Sequence, residues 1–155
     1  MPDRFLDAMR LLTGAVTVIT AGEGEAAAGL TATAVCSFSA DPPRMLVCLN
    51  RAGGTFRALV DSGRFCVNIL GADQQDLAMA FAGRTGMSGA GKFAGEDWLA
   101  LPGEAPCHRA ALVAVNCHLH MMTVLGSHAV VIGDVAETRF GPHRASLLYR
   151  EGAFA

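Results

Sequence analysis

The sequence predicts a mainly β fold, an antiparallel β-barrel with short helices packed outside it. Three observations lead there. Runs rich in Val, Ile and Thr recur along the chain, separated by short breaks that carry Gly or Pro. Two short helical patterns interrupt these runs without a regular strand–helix alternation, which argues against a doubly wound parallel sheet. Hydrophobic residues make up 52% of the 155 positions and charged residues 17%. That is enough apolar surface for one core, with a surplus for an oligomer interface or a ligand pocket. The expected organisation is a single domain over 1–155.

The elements follow in order. Residues 3–13 read as a helix capped by Asp3, with Phe5, Met9 and Leu12 on one face and Gly14 ending it. Residues 15–20 (AVTVIT) are β-branched and read as a strand, and 21–29 (AGEGEAAAG) as a break. Residues 30–39 form one long strand with Leu30, Ala32, Ala34, Cys36 and Phe38 on one face. Thr31, Thr33, Val35, Ser37 and Ser39 occupy the other. Small hydroxyls stand there where a packed core would use Val or Ile, so that face suits a flat polar ring. Asp41-Pro42-Pro43 stops the strand, because Pro cannot donate to a ladder. A strand over 44–49 follows, then a helix over 55–61 burying Phe56, Leu59 and Val60. A strand over 64–70 leads to a helix over 74–81 that turns Leu77, Ala78 and Phe81 inward. Residues 82–109 are irregular and Gly-rich and hold the single Trp, Trp98. Two long strands over 111–122 and 128–138 and a short one over 146–150 complete the chain.

Composition excludes several classes. The net charge is −2, so there is no basic footprint for nucleic acid. No apolar run approaches the roughly 18 residues of a membrane span. The N-terminal MPDRFLDAMRLL alternates charged and apolar residues and lacks a signal-peptide core, so a cytosolic location is expected. Five cysteines, an odd number with no C-x-x-C spacing, suggest structural thiols, with Cys36, Cys48, Cys66 and Cys117 inside apolar runs.

Three motifs are false leads. Gly86 to Lys92 matches G-x-x-x-x-G-K, but Phe93 stands where a phosphate loop needs Ser or Thr, and a helix precedes it. Gly22 to Ala27 matches G-x-G-x-x-A, but Glu23 and Glu25 would repel a pyrophosphate and a strand follows. His118 and His120 share a strand face at metal-ligand spacing, but Cys117 points the other way and no acidic neighbour is evident in sequence; no metal site is expected.

Nearly the whole chain carries a family pattern. It runs through Phe5-Leu-Asp-Ala-Met-Arg10, Thr13-Gly-Ala-Val-Thr-Val-Ile-Thr20 and Gly29-Leu-Thr-Ala-Thr-Ala-Val-Cys-Ser-Phe-Ser39. It continues through Asp41-Pro-Pro43, Leu46-Val-Cys-Leu-Asn-Arg51 and Phe65-Cys-Val-Asn-Ile-Leu70. It closes on Gly126-Ser-His128, Gly133-Asp-Val135 and Leu148-Tyr-Arg150. In this order these segments resemble the flavin reductase family, the small NAD(P)H:FMN reductases that serve two-component monooxygenases. The Thr-Ala-Thr-Ala-Val-Cys-Ser and Leu-Asn-Arg stretches most resemble the branch serving pyrimidine utilisation.

The resemblance implies a homodimeric, antiparallel Greek-key split barrel with FMN near the subunit interface. It implies a flavin site lined by Gly29, Leu30, Thr31, Ala32, Thr33, Ala34, Val35 and Ser37. Asn50, Arg51, Thr55, Phe56 and Arg84 would lead toward the phosphate. His128 would be the catalytic residue beside the nicotinamide, and Tyr149 and Arg150 dinucleotide contacts. Many members carry an acidic residue just before that His, where this chain has Ser127. NADH or NADPH would supply the hydride, with FAD or riboflavin as alternative flavins, and a flavin-dependent monooxygenase would receive reduced FMN. Such chemistry belongs to the cofactors, which accounts for a sequence with no triad and no paired carboxylates. Two other readings remain open at this point. One is an FMN-binding or flavin-shuttling protein that does not oxidise NADH, and the other a flavin-dependent oxidase or oxygenase on the same barrel. A site open above the flavin, with His128 and Arg150 at hand, separates the reductase from both.

Overall fold

A computed structural model describes residues 2–155. Its frame is a seven-stranded antiparallel sheet in the order β3-β2-β6-β9-β10-β5-β4. The strands are β2 (Thr17–Ala21), β3 (Ala28–Ala32), β4 (Val35–Ala40), β5 (Pro43–Asn50), β6 (Arg64–Ile69), β9 (Val113–Leu125) and β10 (His128–Phe140). A second sheet joins β1 (Gly14–Ala15), β11 (Leu148–Arg150) and β12 (Ala153–Phe154). A two-stranded ladder pairs β7 (Trp98–Leu99) with β8 (Cys107–His108). Among the described residues no helix is long and apolar enough to cross a membrane.

The predicted strand over 30–39 is two strands. β3 pairs with β2 at one edge of the sheet, and β4 pairs with β5 at the other. Thr33 and Ala34 form the corner between them, where Val35 N donates to Thr33 O at 2.9 Å and Cys48 N to Ala34 O at 3.0 Å. Consecutive segments thus occupy opposite edges, which rolls the sheet into a barrel whose seam carries no β3–β4 ladder. The corner also resets the alternation: Leu30, Ala32 and Val35 pack against the core while Cys36 and Phe38 are exposed. A uniform period of two could not register that turn.

The barrel interior is built from Ile19, Val47, Leu49, Phe65, Val67 and Val131. β2 is buried along its whole length because both of its faces are covered. Ile19 and Ala21 point into the barrel, while Val18 joins an outer cluster with Val16, Leu70, Ala78, Phe81 and Leu147. α2 (Gly54–Ser62) presses Thr55, Ala58 and Leu59 inward and stops at Gly63, whose φ of 65° is the left-handed cap position. Val60, expected in the core, is exposed. α3 (Gln75–Phe81) buries Ala78 and Phe81 as its pattern predicts.

α1 (Pro2–Arg10) differs more. It ends three residues short of the prediction, Asp3 lies inside its first turn, and it buries nothing. The face with Phe5 and Met9, and Leu12 just beyond it, forms but lies open to solvent. The irregular 82–109 segment contains the β7–β8 ladder and a 3₁₀ turn over Gly89–Phe93. Phe81, Phe93, Trp98 and His108 pack together along it at centroid distances of 4.8 to 5.4 Å, edge to face except for the tilted Phe81–Trp98 pair. The buried Asn68 ties it down from below, accepting from His108 N at 2.8 Å and donating to Val18 O at 3.0 Å.

All five cysteines are free. Cys66, Cys107 and Cys117 are buried and Cys48 half-buried. Cys36, expected inside, sits exposed on the edge strand β4. Burial pushes the Cys117 thiol up to about 12 and the Cys66 thiol well above its ordinary range. These thiols stay protonated and act as small hydrophobes.

The β9–β10 pair carries two register shifts, beside Gly133 and between Val135 and Glu137. At Gly133 a Cβ would lie 2.5 Å from the Phe65 ring and 2.8 Å from Cys117 Cβ. Gly is therefore required there by packing. Gly133→Ala should destabilise the fold by about 1–3 kcal/mol, an overpacking cost. At about 2–4 °C per kcal/mol for a chain of this size, thermal denaturation should show a clear fall in Tm; an unchanged Tm contradicts the packing argument.

Candidate functional site

The barrel opens at its seam. A cavity of about 360 Å³ is lined by Leu30, Thr31, Ala32, Thr33 and Ala34 on one side and by Cys48, Asn50 and His128 on the other. Phe81 and Ala82, at the end of α3, close it. That volume lies in the range of small-molecule pockets. An adjoining cavity of about 190 Å³ shares Thr31, Ala32, Thr33 and Ala82 and adds Val16, Arg84, Tyr149 and Phe154. The two form one groove over the β3 strand, with a cation at one end and an imidazole and an amide at the other. A third cavity of about 520 Å³ meets the groove at Thr33 and runs under the N-terminal segment past Gly14, Val35, Ser37 and Met45.

Each wall has a local cause. Small side chains at Ala32 and Ala34 keep the floor shallow, so a flat ring can approach the backbone. Asn50 and Cys48 share one face of β5 by the two-residue period, which brings both to the groove. His128 opens β10 directly opposite Asn50 in register. Arg84 follows α3 and forms no ion pair among the described residues. Its charge is therefore open to an anionic ligand group.

The structure gathers Leu30, Thr31, Ala32, Thr33, Ala34, Asn50, His128, Arg84 and Tyr149 around the groove and sends Val35 and Ser37 to the third cavity. Others stand elsewhere. Gly29 lies against the Phe81 ring, where a Cβ would come within 2.7 Å, so helix packing requires this glycine. Arg51 turns to the β9–β10 hairpin, donating to Gly126 O at 3.4 Å. Thr55 is buried in α2, and Phe56 packs on the barrel core. Arg150 is exposed, 3.5 Å from Glu151. The hydroxyl stripe is not a continuous polar lining: Thr31 Oγ1 donates to Ala78 O at 2.6 Å and Ser39 Oγ donates to Pro42 O. Cys48 and Ala82 are groove residues that the sequence reading missed; the alternation from Asn50 could have found Cys48.

His118 and His120 do have acidic neighbours, contrary to the sequence reading. The loop between β7 and β8 brings Glu104 to 3.2 Å from His118, and the β9–β10 pairing brings Asp134 to 3.1 Å from His120. The Arg44 guanidinium, 2.7 Å from Asp134, holds that carboxyl below its usual range. Among the described residues no group of three or more His, Cys, Asp or Glu gathers to hold a metal.

The family model described as flavin reductase like domain matches residues 9–155. The chain belongs to the flavin reductase-like family. A relative from Pseudomonas syringae pv. syringae (strain B728a), named FMN reductase (NADH) RutF, is 38% identical over 145 residues, covering 94% of this chain and 80% of its own. Among solved structures, BorF, the flavin reductase component of a bacterial two-component tryptophan halogenase, superposes with a TM-score of 0.90 at 29% identity. The match covers 100% of this chain and 97% of that one. The NADH:FAD oxidoreductase SgcE6 of Streptomyces globisporus C-1027 gives 0.88 at 27% identity, over 99% of this chain and 92% of the other. The split-barrel architecture expected from the sequence is the one these flavin reductases share.

Thr31 has a structural duty in this barrel, tying the β3 floor to the last turn of α3. Thr31→Val keeps the shape and loses the hydroxyl. It should lower stability by about 0.5–1.5 kcal/mol, the net worth of one hydrogen bond, while the affinity for FMN changes less than twofold. A large loss of FMN affinity at unchanged Tm would instead make the Thr31 hydroxyl a ligand contact.

Proposed function

We propose that this chain is an NADH-dependent FMN reductase that hands reduced flavin to a partner monooxygenase. The observation that carries the reading is the groove at the barrel seam, with small side chains along its floor, Arg84 without an ion pair among the described residues at one end, and Asn50 with His128 at the other. Those residues fit a flavin mononucleotide. The floor of Ala32, Thr33 and Ala34 suits a planar ring, Arg84 suits a phosphate, and the open side suits a second ring. The bound pair of cofactors supplies the chemistry, a hydride passed from dihydronicotinamide to flavin.

The chain's own residues bind, orient and exclude. Arg84 anchors the phosphate, where a charge-assisted contact is stronger than a neutral one. The floor sets the height of the flavin ring, and His128 with Asn50 positions the nicotinamide over it. The protein's share of the rate is alignment, since misplacement by about 1 Å can cost roughly 100-fold. The names of the relatives support NADH as donor, and those of structural neighbours, one a component of a tryptophan halogenase and one of a nitrilotriacetate monooxygenase, support an oxygenase or halogenase partner. Five free thiols suit a reducing, cytosolic compartment.

The reading also takes the chain to be a homodimer. α1 exposes Phe5, Leu6 and Met9, and Leu12 continues the patch beside the third cavity. A surface of that kind on a folded protein marks an interface. Light scattering at micromolar concentration should give about twice the 16.1 kDa chain mass; a monomer that binds FMN tightly would sink this.

The deciding experiment is an assay of NADH and NADPH oxidation with FMN, FAD and riboflavin, run on the native protein and on Arg84→Ala. NADH oxidation with FMN is expected. A contact of about 1.5–3 kcal/mol predicts that Arg84→Ala weakens FMN roughly 10- to 150-fold and leaves riboflavin within about twofold. Flavin binding without oxidation of either nucleotide would instead describe a flavin carrier. Equal losses for FMN and riboflavin would remove Arg84 from the phosphate.

A further inference from the structure

The turn that leads into His128 is held by a residue from outside its hairpin. Gly126 and Ser127 join β9 to β10 in two residues, with Leu125 paired to His128 and Gly126 at φ 60°. Gly in the first central position meets the need for positive φ in a tight hairpin. Arg51 fastens the turn from the neighbouring loop, its N–H donating to Ser127 O at 3.0 Å and its guanidinium to Gly126 O at 3.4 Å. The Ser127 backbone is thus pinned by a residue outside the hairpin. Its hydroxyl reaches the next side chain, with Oγ 2.8 Å from His128 Nδ1. Ser127 itself does not line the groove, whereas His128 does, opposite Asn50.

A neutral imidazole carries one N–H and one bare nitrogen, and the bond made by one nitrogen decides the role of the other. We propose that Ser127 is the positioning residue for His128. Its hydroxyl donates to Nδ1, holds the neutral ring as the Nε2–H tautomer, and restricts rotation of the ring beside the groove. The imidazole then offers a donor, suited to the carboxamide oxygen of a dihydronicotinamide, where the opposite tautomer would offer an acceptor. Arg51 has a part in the same device, since it fixes the backbone from which the Ser127 hydroxyl reaches. This assignment rests on the reductase reading for its consequence in turnover, but not for the hydrogen bond itself.

The test therefore has two independent arms. In the first, ¹⁵N NMR of histidine-labelled protein is recorded at a pH where His128 is neutral. The native protein and Ser127→Thr should show a bare Nδ1 and a protonated Nε2, and Ser127→Ala a mixture of the two tautomers. Native and Ser127→Ala proteins with the same tautomer composition, or a native ring protonated at Nδ1, would overturn the proposal. In the second arm, Ser127→Ala should lower kcat/KM for NADH about 3- to 10-fold, as loss of one neutral hydrogen bond predicts. FMN affinity should stay within twofold, and Ser127→Thr should restore the rate. In a His128→Ala background the Ser127→Ala change should have no further effect, because the two residues act as one unit. An equal loss in that background would mean that Ser127 acts without His128 and would retire the positioning role. A native protein that oxidises neither nucleotide would defeat the reductase reading, while the NMR arm would still decide the tautomer.

Discussion

Two strands that are neighbours in the chain, β3 and β4, lie on opposite edges of the same sheet. Everything else in the molecule depends on that constraint. The chain can satisfy it only by rolling the sheet, so that the Thr33–Ala34 corner spans the gap. Rolling creates the interior that Ile19, Val47, Phe65 and Val131 fill. It also leaves a seam where no ladder runs between β3 and β4. Elsewhere in the barrel, backbone pairing brings neighbouring strands together; at the seam they diverge and a groove remains.

The groove is where segments far apart in sequence meet. Its floor comes from residues 30–34, its far wall from Cys48, Asn50 and His128, and its end from Arg84 and Tyr149. None of these is a nucleophile in a hydrogen-bonded relay, and none needs to be when cofactors carry the reaction. What the protein must supply is fixed geometry. The structure accounts for that rigidity in particular contacts: Phe81 seated against Gly29, Thr31 bonded to the α3 carbonyl of Ala78, and Arg51 clamped on the turn before His128. Gly29, Ala78 and Arg51, which stand outside the groove, thus hold residues that line it.

The same view explains the site residues that moved. Arg51, Thr55 and Phe56 follow the third long strand directly, so nearness in sequence suggests nearness to the ligand. In the fold α2 turns back over the barrel end, and Thr55 and Phe56 are spent on the core. The stripe of hydroxyls on residues 31–39 was legible as a pattern, yet its hydroxyls divide between helix capping, a turn and the cavities. His120 gained an acidic partner because β9 pairs with β10, which brings Asp134 beside it, and His118 gained Glu104 from the loop between β7 and β8.

By itself, the sequence determined the strand-rich antiparallel class, the positions of α2 and α3, and the approximate bounds of the long strands. Local chemistry sets all of these: β-branched runs, helical spacing of apolar residues, and Pro or Gly at the breaks. The family resemblance added the 29–35 segment and Arg84 as candidates for the flavin and His128 as the candidate beside the nicotinamide. Only the tertiary structure decided that residues 30–39 bend at Thr33 and that no residue of α1 is buried. It alone showed that Gly133 is required by Phe65, and that Ser127 reaches His128 while Arg51 holds the turn. The physical reason is that period and propensity act over a few residues. The corner, the bulges and the groove arise from pairing between strands tens of residues apart, where burial and register outweigh local preference.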